Sequence, residues 1–145
     1  MSIDERQWCI FLPCGKSETW AVSQNAVAEI VAVDAVGAEP PEQLMWRGKS
    51  LPVFDPGLGT GTPWRENPGC TGLVAVLLGL EGAELEYWGV ALRGKGLTIK
   101  DLRRETVEEA HDQAHEHAVT AFRLHEQLIQ IPDLVMMQHQ LQSTQ

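Results

Sequence analysis

The chain has 145 residues, of which 43% are hydrophobic, and a formal net charge of −9 at pH 7. The length fits one domain, and the hydrophobic content suffices for a folded core. The acidity argues against nucleic acid or an anionic membrane as the partner, because both are bound through clustered lysine and arginine. The three cysteines form no C-x-x-C pair, so we expect reduced thiols rather than a disulfide framework or a thiolate zinc site. Without an apolar leader or a run near the ~20 residues of a spanning helix, we expect a cytoplasmic protein.

Short β segments separated by turn residues dominate the first two thirds of the chain. Residues 8–22 predict a first hairpin. The segment 25–33 is apolar except for Glu29, and its pattern leaves helix and strand equally open. After a loop at 57–72 that is rich in Gly, Pro, Thr and Asn, residues 73–92 predict a second hairpin.

The last third predicts helix and strand together. Apolar residues from Leu102 to Ala118 roughly share one helical face, a third hairpin follows at 119–131, and 134–140 predict a short terminal helix. We therefore predict a mainly β fold with two small five-stranded barrels that share a hydrophobic seam, one helix of moderate length between Lys100 and Ala118, and a short C-terminal helix.

The two halves of the chain follow a similar plan, which predicts two lobes within a single domain over 1–145. Each half runs from a hairpin to an arginine-containing turn, a short apolar strand and a Pro/Asp stop. Lobe 1 is expected at about 8–56 and lobe 2 at about 73–140, with the Gly-rich loop between them.

The most informative motif is Arg47-Gly48, within residues 46–55. Glycine permits a positive φ angle in a tight turn, and the residues that follow are typical of a short buried strand. An arginine fixed at such a turn offers five N–H donors in a rigid fork to a partner's carboxylates or carbonyl groups. The alternative is a structural arginine that pairs within the chain, to Glu29 or Asp55.

These residues resemble the first half of CheW-like domains, the coupling proteins of chemosensory systems. The resemblance lies in the hairpin at 11–22, in Ala-Val-Ala-Glu-Ile at 26–30 and in Arg-Gly-x-x-Leu-Pro-Val-x-Asp at 47–55, and 127–134 resemble the family's last strand. It implies two interlocked five-stranded SH3-like barrels, no catalysis and no cofactor. It also implies contacts with the regulatory domain of a CheA-type histidine kinase and with a methyl-accepting chemoreceptor. The positions that match the family's functional motif, together with one neighbouring tryptophan, are Val27, Glu29, Arg47, Gly48 and Trp46.

The chain departs from the family's pattern at three places. Met45-Trp46 precede the Arg-Gly pair, Pro56-Gly57 follow the strand, and residues 89–93 lack the usual aspartate. The resemblance therefore implies a divergent, stand-alone member, acting as a non-enzymatic adaptor in a chemotaxis or twitching-motility pathway with a specialised set of partners.

Two other functions stay open at the level of the residues. Glu108, His111 and His115 would share one face of the predicted helix and could hold a metal for a hydrolase, although a solvated polar face has the same pattern. The tryptophans could line the pocket of a small-ligand-binding barrel. Trp46 and Trp64, beside Gly- and Pro-rich turns, are expected to be exposed interface anchors. No complete phosphate-loop, nucleophile-elbow or zinc-protease motif is present, so we expect no catalytic residue and no metal site.

Overall fold

Most of the chain that the structure describes is β-strand, as the short apolar runs between turn residues predict. The computed structural model describes residues 8–15, 18–34, 39–57, 64, 71–79, 86–93, 98–101, 108–114, 116, 118–124 and 127–143. Within these ranges the strands are β1 (Trp8–Gly15), β2 (Glu18–Ser23), β3 (Val27–Val33), β4 (Gln43–Trp46), β5 (Lys49–Phe54), β6 (Gly72–Leu78), β7 (Tyr87–Leu92), β8 (Thr98–Asp101), β9 (Glu108–Glu109), β10 (Ala118–Leu124) and β11 (Gln127–Pro132). One α-helix, α1 (Leu134–Ser143), and single 3₁₀ turns at Gln24–Ala26 and His111–Gln113 complete the described elements.

The strands form two sheets. The six-stranded sheet has the order β8-β1-β2-β11-β10-β9, and the five-stranded sheet has the order β3-β6-β7-β5-β4. Neighbours are antiparallel except for the parallel pairs β2–β11 and β5–β7. Each sheet takes strands from both ranges predicted for the lobes, so the sheets do not follow that division of the chain, and the lobe boundary stays a prediction.

Apolar side chains pack into three clusters that the two sheets separate. The central cluster contains buried residues of both sheets and of the helix, including Leu12, Trp20, Leu77, Trp88 and Met137. A second cluster lies on the other face of the five-stranded sheet, and a third lies on the other face of the six-stranded sheet. The central cluster lies between the two sheets, while the seam predicted between two barrels stays a prediction.

Strand β6 shows why the five-stranded sheet is apolar on both faces. Successive side chains of a strand point to opposite faces, and here Ala75 and Leu77 join the central cluster while Val74 and Val76 join the second. All four side chains are fully buried. This double burial explains the unbroken apolar run from which the strand was predicted.

The three hairpins predicted from the sequence are confirmed as the antiparallel pairs β1–β2, β6–β7 and β10–β11. The terminal helix is confirmed as well, and Asp133 caps its start by accepting a hydrogen bond from the Met136 N–H over 3.0 Å. The ambiguous segment 25–33 forms the end of a 3₁₀ turn followed by β3. No helix among the described residues is long and apolar enough to cross a membrane.

The helix predicted between Lys100 and Ala118 is wrong. Its described residues form β8, β9 and the second 3₁₀ turn before β10 begins, while 102–107 lie outside the described residues. Ile99 pairs with Ile10 of β1 and is 57% exposed, and the Ala110 N–H donates to the Ala121 carbonyl over 3.0 Å. The helical spacing rested mostly on alanines, which bury little surface, and pairing with the neighbouring strands satisfies the backbone instead.

Candidate partner-binding site

The Arg47-Gly48 turn joins β4 to β5 as a two-residue hairpin loop, because Trp46 pairs with Lys49. The φ angles are 50° at Arg47 and 78° at Gly48, and two positive values in succession are the mark of a type I′ turn. Glycine adopts this conformation freely, whereas an arginine pays roughly 1–2 kcal/mol for it. Asparagine followed by glycine is the usual sequence of such a turn. Arg47 therefore occupies a position where asparagine would cause less backbone strain.

Glu29 reaches this turn from the opposite edge of the sheet. Strands β3 and β4 are the two outer strands of the five-stranded sheet. The Trp46 Nε1–H nevertheless donates to Glu29 Oε1 over 2.9 Å, and Arg47 Nη2 lies 3.4 Å from the same oxygen. Side chains of the two outer strands therefore contact each other, and Arg47 lies beside Glu29, one of the two partners considered for it within the chain.

The Glu29–Arg47 pair is largely solvated. The Arg47 side chain is 70% exposed and that of Glu29 is 43% exposed, so the pair contributes only about 0–1 kcal/mol to folding. The guanidinium carbon of Arg47 also lies 4.6 Å from the centre of the Trp46 ring, within the range of a cation–π contact. The turn backbone, the carboxylate and the ring together fix the direction of the arginine.

Trp46 is not the exposed anchor that its neighbours predicted, since only 8% of the residue is accessible. It alternates inward with Leu44 on β4, and its ring packs 4.8 Å from that of Tyr87. Trp64 is also buried, at 5% exposure, and its Nε1–H donates to the Leu73 carbonyl over 3.0 Å. The structure therefore makes Trp46 a support beneath Arg47 rather than a protruding contact.

Val27 lies apart from this group because of a β-bulge in β3. Val27 is opposite Leu77 of β6, but Glu29 is opposite Val76, so Ala28 is an extra residue in the ladder. Val27 consequently packs against the central cluster, while Glu29 lies on the side of Trp46. Without the bulge, Val27 and Glu29 would lie on the same face of the sheet, because residues two apart in a strand share a face.

A second charged pair lies beside the first, and it was not predicted from the sequence. Lys49, just after the turn, forms an ion pair with Glu86, which lies 37 residues away and immediately before β7. The hydrogen bond to Glu86 raises the pKa of Lys49. The Lys49 ammonium nitrogen also lies 5.3 Å from the centre of the Tyr87 ring. The only signal for this contact was the position of Lys49 next to Gly48.

Asp55, the other partner considered for Arg47, is bound by Arg93 instead. Arg93 Nε and Nη2 donate to the two Asp55 oxygens over 2.9 and 2.6 Å, and Nη2 also donates to Glu39 Oε2 over 2.8 Å. Arg93 is 4% exposed, and its hydrogen bond to Asp55 is the main cause of its raised pKa. This network joins the end of β5 to the end of β7 and shows that Asp55 is not the partner of Arg47.

The residues considered for a metal site do not converge in the described part of the chain. Glu108 lies in β9, His111 contacts Thr120 Oγ1 through Nδ1 at 2.9 Å, and His115 lies outside the described residues. No group of three or more His, Cys, Asp or Glu among the described residues is placed to hold a metal ion. A cleft of about 340 Å³ is bordered by residues 39–42 and 53–55, and its lining includes no tryptophan.

No protein-family model matches the chain, and no curated protein is significantly similar to it. The features of the chain that bear on its function are therefore the mainly β fold, the Glu29–Arg47 pair and the resemblance of residues 47–55 to the CheW-like motif.

Proposed function

We propose that this chain is a non-enzymatic signalling adaptor that acts in the cytoplasm and couples a methyl-accepting chemoreceptor to a CheA-type histidine kinase. The observation that carries the proposal is the contact of Glu29 with Arg47, residues 18 apart in sequence that lie 3.4 Å from each other at an exposed turn. The resemblance to CheW-like domains implies that both positions bind partners, and their proximity makes them a single surface.

The strained turn favours a binding role for Arg47 over a structural one. The positive φ angle of 50° at Arg47 destabilises the fold. The exposed pair of Arg47 with Glu29 stabilises the fold only slightly. Residues held in such conformations cluster at functional sites, where the surrounding structure maintains them. Because the arginine is already oriented, it loses little conformational freedom when a partner binds.

The proposal includes the finer architecture, in which the two sheets close into interlocked SH3-like barrels. The Glu29–Trp46 hydrogen bond between the two edge strands supports closure of the five-stranded sheet. The separate apolar clusters on the outer faces of both sheets fit barrel interiors. Two rigid barrels around one seam would hold two partner surfaces at a fixed separation, as an adaptor requires.

The test is a calorimetric titration of the protein with the purified regulatory domain of the kinase and with a receptor-tip fragment. Arg47→Ala should bind at least tenfold more weakly, which corresponds to about 1.4 kcal/mol, with a nearly unchanged melting temperature. Arg123→Ala is the matched control, since this arginine of β10 lies on the other sheet and donates to Gln113 Oε1. Equal affinities of wild type and Arg47→Ala would remove Arg47 from the site, and failure of the wild type to bind either fragment would refute the adaptor function.

A further inference from the structure

We infer that the cleft at the open end of the β4–β5 hairpin binds a small organic cation, an amine whose ammonium group is attached to an apolar body. The cleft has a volume of about 340 Å³ and is bordered by residues 39–42, which lead into β4, and by residues 53–55, where β5 ends. It lies at the opposite end of β5 from the Arg47-Gly48 turn. The inference is therefore independent of the proposed adaptor function.

The fold holds the two sides of the cleft together. The Val53 N–H donates to the Glu42 carbonyl over 2.9 Å and joins the two bordering segments. Arg93 joins them a second time, because it binds Asp55 of one segment and Glu39 of the other. The volume exceeds the ~300 Å³ at which small-molecule pockets begin. Because the cleft is formed before a ligand arrives, little ordering of the protein opposes binding.

The apolar part of the lining favours an organic ligand over a metal ion. It consists of Pro40, Pro41, Val53 and Phe54. The Phe54 ring is held by stacking on the ring of Trp20, with 6.2 Å between the ring centres. A metal ion requires convergent ligands, and no group of three or more His, Cys, Asp or Glu in the part of the chain that the structure describes is placed to hold one. An apolar body, in contrast, gains from contact with these walls.

The charges of the cleft select a cation. Glu39, Glu42 and Asp55 in the lining carry three negative charges, and Arg93, which binds two of them, carries one positive charge, so the cleft has a net charge of −2. Glu42 is exposed, and none of the ion pairs between described residues involves it. The Arg93 side chain is 4% exposed, which shields its charge from a bound anion. A cleft with an excess of one sign of charge concentrates ligands of the opposite sign.

Three probes of similar shape test the sign of the ligand: benzylammonium, benzyl alcohol and benzoate. Each is titrated into the full chain at neutral pH, by calorimetry and by NMR of the backbone amides of Glu39, Glu42 and residues 53–55. Benzylammonium should shift these amides and bind about threefold more tightly than benzyl alcohol, the modest gain expected of exposed ion pairs. Benzoate should not shift them. Added salt should remove the advantage of the cation, because salt screens exposed charges.

Two double variants of equal net charge test the carboxylates. Glu39→Gln/Glu42→Gln leaves only the charges of Asp55 and Arg93 at the cleft, so benzylammonium should bind it no more tightly than benzyl alcohol does. Glu108→Gln/Glu109→Gln is the matched control, because these exposed glutamates of β9 lie on the other sheet. This control should bind benzylammonium like the wild type. Urea unfolding verifies that both variants remain folded.

The outcomes decide on the site and on the sign of its ligand separately. If no probe shifts the amides of the cleft, the binding site is overturned. If the three probes bind the wild type equally, or if the two double variants lose affinity equally, the selection of a cation is overturned. Should Glu39→Gln/Glu42→Gln fail to fold, Glu42→Gln alone replaces it and should bind benzylammonium more weakly than Glu108→Gln does. None of these results depends on the kinase or receptor fragments.

Discussion

Replacing Arg93 by methionine tests the buried charge network at the ends of β5 and β7. The Arg93 side chain is 4% exposed and that of Asp55 is 14% exposed, so the change leaves a shielded carboxylate without its counter-charge. Breaking a buried pair in this way costs about 3–5 kcal/mol. At roughly 2–4 °C per kcal/mol for a chain near 150 residues, the melting temperature should fall by about 6–20 °C. Methionine fills much of the arginine stem's volume, which limits the contribution of a cavity.

Thermal and urea unfolding followed by circular dichroism measure this loss. Glu39→Gln is the matched control, because Glu39 bonds the same guanidinium but is 64% exposed, and it should cost less than about 1 kcal/mol. The raised pKa of Arg93 means that the contribution of Arg93 to stability is complete below the ordinary pKa of arginine and is lost only as the pH rises above it. The difference between wild type and Arg93→Met should therefore persist from pH 7 to pH 10. A loss below about 1 kcal/mol, or an equal loss in Glu39→Gln, would refute this reasoning.

Three further predictions concern the turn and a buried thiol. Arg47→Asn should keep the free energy of unfolding within about 1 kcal/mol of wild type or raise it, because asparagine suits a positive φ angle, and urea unfolding measures this. Gly48→Ala should lower the free energy of unfolding by roughly 1–2 kcal/mol in the same assay, since φ is 78° although a Cβ would meet no atom within 4 Å. Burial is the main cause that raises the pKa of the Cys14 thiol well above its ordinary value of 9.0. The protonated Cys14 thiol stabilises the fold fully below that pH, and this stabilisation declines above it by at most about 1.4 kcal/mol per pH unit. Measurements of the free energy of unfolding from pH 7 to 10 should therefore show a shallower decline in Cys14→Ala than in the wild type.

Local patterns predicted the hairpins and the terminal helix because their signals lie within a few residues. The turn residues and the alternation of β1, β2, β10 and β11 are local, and so is the Asp133 cap of α1. Trp46 was wrongly predicted to be exposed because it lies near Gly48. Its side chain points inward because it alternates with Met45 and shares a face with Leu44. The same local reasoning was also wrong about the helix between Lys100 and Ala118, where the described residues include β8 and β9, each paired with a neighbouring strand.

The candidate site was only partly predictable, because its contacts depend on strand order. Glu29 was considered as a partner of Arg47 within the chain, but no local pattern indicates that side chains of β3 and β4, the two outer strands of one sheet, contact each other. The Arg93–Asp55 pair spans 38 residues and the Lys49–Glu86 pair spans 37. Such pairs can be predicted only when the parallel β5–β7 register is known, and no local pattern in the sequence specifies that register.

The most direct test of the central claim is the affinity of Arg47→Asn for the kinase regulatory domain and the receptor-tip fragment, measured by calorimetry beside its free energy of unfolding. The substitution removes the guanidinium while retaining a residue that suits the turn. If Arg47 is held at φ 50° for the sake of binding, Arg47→Asn should have a free energy of unfolding within about 1 kcal/mol of the wild type or higher and should bind one or both fragments at least tenfold more weakly. A variant that binds both fragments as tightly as the wild type, or one that loses stability instead of affinity, would contradict the account.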